Sequence, residues 1–392
     1  MNGINFKRLD WIMLATILML IGLSAAFIYS AQFKSDADPV GDNWIKQLVF
    51  AALGLCAYGA LTWLDYKHFS RYVWFIYGGA IALLLIVFLF SPVNGAHRWI
   101  RLPGLMVQPS EFAKIAVVMA LAAFLAAPDR DVDEWRTFFG CLAIVGLPFL
   151  LIAMEPDLST ALTMAPVSLV IMLHAGVQRK LLLIGVAAVV LFSAILCLWI
   201  KFETTPETEA LPPEQRPAIV LPRMPFLEEY QKSRIKVFLS KNHDLADAGW
   251  NKLQSQIAVG SGGLYGKGFL KGAQNNLGFL PRTVAPTDFI FCVVAEETGF
   301  AGGMFFILLY SVLLGRCMWV AYGTHNEFGR LMALGIGVMV FCHVFVNIAM
   351  TIGILPITGL PLPLMSYGGS FMVGTMIALG LVQSVHQRRR MR

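Results

Sequence analysis

The stretch TVAPTDFIFCVVAEETGFAGG, residues 283–303, sets one carboxylate, Asp288, between a proline-containing loop and a long apolar run. An acid at such a boundary is costly to desolvate, and it is a candidate acid–base group if it is retained for chemistry. Thr287 precedes it, so Asp288 could also serve as a helix N-cap, a place that Ser or Asn would fill equally well. Other polar residues interrupt apolar sequence in pairs. Glu111 and Lys114 in QPSEFAK (108–114) stand three apart, on one helical face. Glu155 and Asp157 flank Pro156 in EPDLST, where a site role and capping of the next helix are both open. Glu296 and Glu297 lie two turns beyond Asp288, where a helix N-terminus favours negative charge. His343 and Asn347, four apart, suit hydrogen bonds between helices. NGAHRWIRLPG (94–104) carries Arg98 and Arg101, and GSGGLYGKGFLKG (260–272) carries Lys267 and Lys271. LPITGLPLPLMSYGGS (355–370) holds Ser366 and Tyr367 and no charge. The glycine-rich run is not a phosphate loop: that pattern needs glycine where Ser261 stands, and no Ser or Thr follows Lys267.

The elements that must position these residues are membrane helices. The chain has 392 residues, 57% hydrophobic and 14% charged, with mean hydropathy +0.67. A water-soluble fold of this length could not cover so much apolar surface. About ten stretches reach the length of a helical crossing, near 11–30, 44–64, 71–91, 109–127, 138–154, 158–176, 181–201, 289–316, 329–353 and 368–386. The fold class is therefore all-α polytopic membrane protein, one membrane domain over 1–392. AQFK after Ser30 imitates a signal cleavage site, but the preceding apolar run is long for a signal core, so it reads as a retained first helix. The six cysteines form no CxxC, which argues against a disulfide framework or a zinc site.

Basic residues orient the chain. With the N-terminus cytoplasmic, the inside segments hold fourteen Lys and Arg and the short outside loops four, so both termini are expected inside. The segment 202–288 is then a large extracytoplasmic loop between helices 7 and 8. Its 203–225 part, with six prolines and four glutamates, reads as extended or flexible. Two amphipathic helices follow: 226–240, with Leu227, Tyr230, Arg234 and Phe238 on one face, and 249–259, with Trp250, Leu253 and Ile257. They either lie on the membrane surface or pack on the bundle. All the unusual polar residues gather on the outer side.

QIAVGSGGLYGKGFLKGAQNNLGFLP, TDFIFCVVAEETGFAGG, QPSEFAK and LPITGLPLPLMSYGGS resemble the SEDS family (shape, elongation, division and sporulation), in its elongation branch rather than its division branch. The resemblance spans nearly the whole chain. It implies a peptidoglycan glycosyltransferase that polymerises lipid II on the outer face of the cytoplasmic (inner) membrane for cell elongation and rod shape, beside a class B penicillin-binding protein and the elongation machinery. The family's essential aspartate matches Asp288, and its glutamate and lysine match Glu111 and Lys114. The chain departs from the family where Arg282 stands in place of a common Glu and Pro286 in place of a common His.

The implied reaction inverts MurNAc C1 and releases undecaprenyl pyrophosphate. It needs a base at the acceptor hydroxyl and cations at the leaving pyrophosphate. Asp288 is the expected general base, with Glu111 and Lys114 catalytic beside it. Arg98, Arg101, Lys114, Lys267 and Lys271 are the expected cations, and Glu155, Asp157, Ser366 and Tyr367 further substrate contacts. A divalent cation, Mg or Mn, could bridge carboxylate and pyrophosphate; no organic cofactor is expected. The alternatives are a lipid II flippase and a non-catalytic scaffold for the penicillin-binding protein.

Overall fold

The computed structural model describes residues 8–33, 40–92, 96–102, 105–202, 232, 234, 248–281 and 283–389. Ten long helices coincide with the ten stretches read from the sequence: α1 (Trp11–Gln32), α2 (Asn43–Trp63), α3 (Tyr66–Ile86), α4 (Pro109–Leu125), α5 (Trp135–Met154), α6 (Leu158–Ala175), α7 (Arg179–Phe202), then α10 (Ile290–Tyr322), α11 (Glu327–Thr351) and α12 (Gly369–Arg388). Between the seventh and eighth lie α8 (Ala248–Ser261) and the short α9 (Ala273–Asn276). A hairpin precedes α4, pairing β1 (Ile100–Leu102) antiparallel with β2 (Leu105–Val107), Ile100 opposite Val107.

Eight of these helices are long and apolar enough to cross a membrane: α1, α2, α3 with its 3-10 extension, α5, α6, α10, α11 and α12. Large apolar side chains face outward along them, Phe75 at 79% exposure and Leu150 at 61%, as lipid-facing residues do. The protein is a multi-pass membrane protein.

α4 differs. It has 17 residues, starts on Pro109 at its first position and buries almost its whole circumference among α3, α5, α6, α11 and α12. That central place is why Glu111 and Lys114 are tolerated: their neighbours are protein, not lipid. α11 and α12 are also largely buried, α12 packing along α2.

α10 runs 33 residues but breaks at Gly299, whose φ of 67° and ψ of −164° are not helical. The glycine-rich loop fills the break. Lys267 N–H donates to the Glu296 carbonyl (3.0 Å) and Gly268 N–H to that of Glu297 (2.9 Å), while Phe300 and Ala301 N–H donate to Gly263 and Leu264 (2.8 and 3.0 Å). The freed backbone groups thus find partners in a second segment. A side chain on Gly299 would run into the backbone of Leu264 and Gly266.

α8 packs on the bundle. Its buried face is Gln254, Ser255 and Ala258, with Ser255 Oγ donating to the Thr351 carbonyl (3.2 Å), whereas Ile257 is exposed. The face read from Trp250, Leu253 and Ile257 is therefore not the packed one. Small polar residues let the two backbones approach closely, which an apolar-periodicity argument does not register. Residues 203–225 lie outside the described residues, as do Leu227, Tyr230, Phe238 and Arg282.

Candidate active site

Asp288 is not an N-cap. The N-cap of α10 is Phe289, which makes no side-chain cap hydrogen bond. The backbone of the 286–288 turn is held instead. Asn347 Nδ2 donates to the Asp288 carbonyl (2.9 Å) and to the Leu360 carbonyl (2.7 Å). Ser366 Oγ donates to the Thr287 carbonyl (2.5 Å) and accepts from Leu362 N–H (2.8 Å), and Tyr367 N–H donates to the Pro286 carbonyl (2.8 Å). The uncharged 355–370 loop thus fixes the turn and leaves the Asp288 carboxyl unused by the helix.

Gly359 is the point of closest approach. Its φ of +77° favours glycine, and a Cβ there would stand 3.1 Å from Asp288 Oδ2 and 3.3 Å from Arg234 Nη1. Arg234 Nη1 also donates to the Thr358 carbonyl (2.8 Å), which accepts from Ser159 Oγ as well (2.7 Å). Burial pushes the Asp288 carboxyl up to about 7; Arg234 opposes this, Asp157 adds to it, and Arg98 and the Thr287 hydroxyl oppose it. An acid titrating near neutrality suits a general base.

Arg98 reaches the same rim from the hairpin side. Its guanidinium donates to the Glu155 carbonyl (3.3 Å) and the Pro156 carbonyl and lies 4.0 Å from Asp157. Asp157 caps α6, accepting from Thr160 N–H (3.3 Å), and accepts from Gln108 Nε2 (3.2 Å). Glu155 is fully buried with neither carboxyl oxygen hydrogen-bonded, and burial, then the Asp157 charge, pushes it up to about 8 against Arg98. Capping therefore accounts for Asp157 and not for Glu155.

Glu111 and Lys114 form a second centre deeper in the bundle. Lys114 Nζ lies 2.9 Å from Glu111 Oε2 and 2.8 Å from His343 Nε2. Lysine has only donors, so the ring accepts at Nε2 and carries its hydrogen on Nδ1, which faces the Pro361 carbonyl at 3.3 Å. His343 and Asn347, one turn apart on α11, therefore join the two centres: one contacts Lys114 and Pro361, the other Leu360 and the Asp288 backbone. A small cavity lies against Glu111, Lys114, His343 and Phe371.

The other expected site residues are placed elsewhere. Lys267 Nζ bonds Glu296 Oε1 (2.6 Å) and Ser261 Oγ (2.7 Å), so its ammonium serves the break in α10. Glu297 accepts from Ser30 Oγ of α1. Glu296 and Glu297 are loop anchors, not groups stabilising a helix start. Lys271 and Arg101 are exposed, and neither is among the charges that bear on Asp288. The Ser366 hydroxyl and Tyr367 N–H hold the Asp288 turn. Arg234, Asn347 and Gly359 as neighbours of Asp288 were beyond the reach of sequence spacing; the only signal was the uncharged, glycine-containing loop on the same side. Among the described residues no three His, Cys, Asp or Glu side chains gather as a metal site, and the cations beside Asp288 are arginines. The described residues do not fit a resident metal ion.

Fold and site define a class: a multi-pass helical membrane protein with a titratable carboxyl held at one rim of the bundle and a buried ion pair beneath it. Residues 10–391 match the family model of the FtsW/RodA/SpoVE cell cycle proteins. The peptidoglycan glycosyltransferase MrdB of Escherichia coli (strain K12) is 36% identical over 387 residues, covering 98% of this chain and 95% of that protein. The peptidoglycan glycosyltransferase RodA of Treponema pallidum (strain Nichols) is 33% identical, covering 97% and 98%. Among solved structures, a chain described for the coordination of polymerization and crosslinking by a peptidoglycan synthase complex superposes with TM-score 0.75 at 27% identity, covering 97% of this chain and 98% of that one. The rod shape determining protein RodA of Thermus thermophilus superposes with TM-score 0.68 at 26% identity, covering 99% and 100%. The chain belongs to the FtsW/RodA/SpoVE family.

Proposed function

We propose that the chain is a peptidoglycan glycosyltransferase that polymerises lipid II for cell elongation, with Asp288 as general base. The observation that carries the assignment of the base is a half-buried carboxyl that caps no helix and that desolvation pushes up to about 7. Asp288 takes the proton of the acceptor GlcNAc 4-hydroxyl as its oxygen bonds to MurNAc C1 of the donor, and the C1–oxygen bond to undecaprenyl pyrophosphate breaks with inversion. Arg98, the one expected cation whose charge bears on Asp288, would face the leaving pyrophosphate. A divalent cation, Mg or Mn, would arrive with the pyrophosphate and not from a built site.

The basic asymmetry supports ten crossings with both termini cytoplasmic, which sets Asp288 on the extracytoplasmic side of the inner membrane. α4 and α7 are the two crossings added to the eight. The relative described within a peptidoglycan synthase complex supports a class B penicillin-binding protein as partner. The test is polymerisation of labelled lipid II by the purified chain, with and without the transpeptidase. Polymer from wild type and none from Asp288→Asn is expected. Translocated lipid without polymer would favour a flippase, and growth supported by inactive variants would favour a scaffold.

A further inference from the structure

We infer that Arg234, from the long outer segment, is a positioning residue for Asp288: anchored on the Thr358 carbonyl, its guanidinium holds the Asp288 carboxyl ionised against Gly359. The inference rests on the glycosyltransferase reading. Two atoms of the guanidinium and one carboxyl oxygen converge on the space above Gly359 that a side chain would fill, with Nη1 at 3.3 Å, Nη2 at 3.7 Å and Asp288 Oδ2 at 3.1 Å from it. The anchor is double, because Thr358 accepts from Arg234 and from Ser159 of α6.

The surroundings explain why such a residue is needed. The charged groups facing Asp288 are Arg234 from the outer segment, Arg98 from the hairpin and Asp157 between α5 and α6. α11 contributes Asn347, an uncharged amide on the Asp288 backbone. Arg98 is engaged with the carbonyls of Glu155 and Pro156 and with Asp157. Arg234 is the leading charge that opposes burial and Asp157, which both drive the carboxyl toward its neutral form. A neutral Asp288 has no lone pair basic enough to take the acceptor proton. When it does take that proton, the positive charge of Arg234 is left beside the forming bond, where the pyrophosphate oxygens gain negative charge.

The experiment compares the full-length chain with Arg234→Gln and Arg234→Lys. Lipid II polymerisation is followed from pH 5.5 to 9, roughly the window around a base of this kind. In parallel, carbodiimide modification of Asp288, which labels the protonated carboxyl, is read by mass spectrometry without turnover. In Arg234→Gln the acid limb of the rate profile and the labelling profile both move to a pH higher by about one, an approximately tenfold loss below the limb that closes at alkaline pH. Arg234→Lys restores most of both. An equal loss at every pH, or an unmoved labelling profile, overturns the inference. Should Arg234→Gln fail to insert, Gly359→Ala, which crowds both side chains, must move the same two profiles, and its failure to do so overturns the inference as well. Absence of polymer from wild type tells against the glycosyltransferase reading, while the labelling profile still decides the role of Arg234.

Discussion

The two ends of the helical bundle use charge differently. At the end where α1 starts, acids complete helices. Asp10 caps α1 through Met13 N–H (3.1 Å) and pairs with Arg316 (2.7 Å); Asp65 caps α3 through Lys67 N–H (3.0 Å) and lies 3.7 Å from Arg388. Arg388 and Arg389 donate to the carbonyls of Thr62 and Trp319 (3.0 and 3.1 Å) near the ends of α2 and α10, and Arg316 and Arg389 both lie over the Trp319 ring. These are the favourable placements of cations at helix C-termini and anions at N-termini. At the opposite end, Asp288 caps nothing and Glu155 has two unpartnered buried oxygens. Charges of the first end stabilise the fold; at the second, Asp157 also caps α6, but Asp288 and Glu155 are held away from that work, which is where chemistry can use them.

The largest break in this contrast is Asp288→Asn. Polymerisation should fall by roughly 10²–10⁴ with insertion and thermal stability unchanged, measured with labelled lipid II and a melting assay in detergent. The proposed base must be ionised, and the Asp288 carboxyl is pushed up to about 7, so the wild-type rate should rise with pH through that value and fall below it. Unchanged turnover in the Asn variant would put Asp288 with the structural acids.

Lys114→Met comes next. It strands Glu111 in the bundle, at a cost of about 3–5 kcal/mol, and adding Glu111→Gln should return most of the melting temperature. If the double variant also regains turnover, the pair is structural; if it stays inactive, the pair belongs to the outer chemistry.

Asn347→Leu removes the donor to the Asp288 and Leu360 carbonyls. The expected loss is about 1–3 kcal/mol of stability, with turnover falling more than stability because the base is displaced. The melting curve and the rate together separate the two effects.

Glu155→Gln sharpens the comparison through pH. The folded protein holds Glu155 at about 8 against an ordinary 4.5, so its stabilising contribution is full below the ordinary value and is lost as pH rises through about 8. The Gln variant should equal wild type near pH 5 and melt higher above pH 8. Equal melting across the range would show that Glu155 is solvated.

The smallest effect is expected at the other end. Arg388→Ala removes a half-exposed pair and helix-end contacts, about 1 kcal/mol, with turnover per folded molecule unchanged.

The sequence by itself determined the helices. Runs of apolar residues long enough to cross a bilayer have one way to satisfy their backbone, so ten stretches became ten helices near their expected limits. It also singled out Asp288, Glu111 and Lys114, because an ionisable group in apolar sequence stands out without any knowledge of contacts. Tertiary structure decided what each charge is for. Lys267 and Glu296, residues of one expected type with Lys114 and Glu111, went to the break in α10, since a loop distant in sequence had to supply the freed backbone with partners. The Arg234–Gly359–Asp288 convergence joins three segments that no periodicity links. Burial and pairing act through space, and spacing along a chain constrains neighbours only within an element.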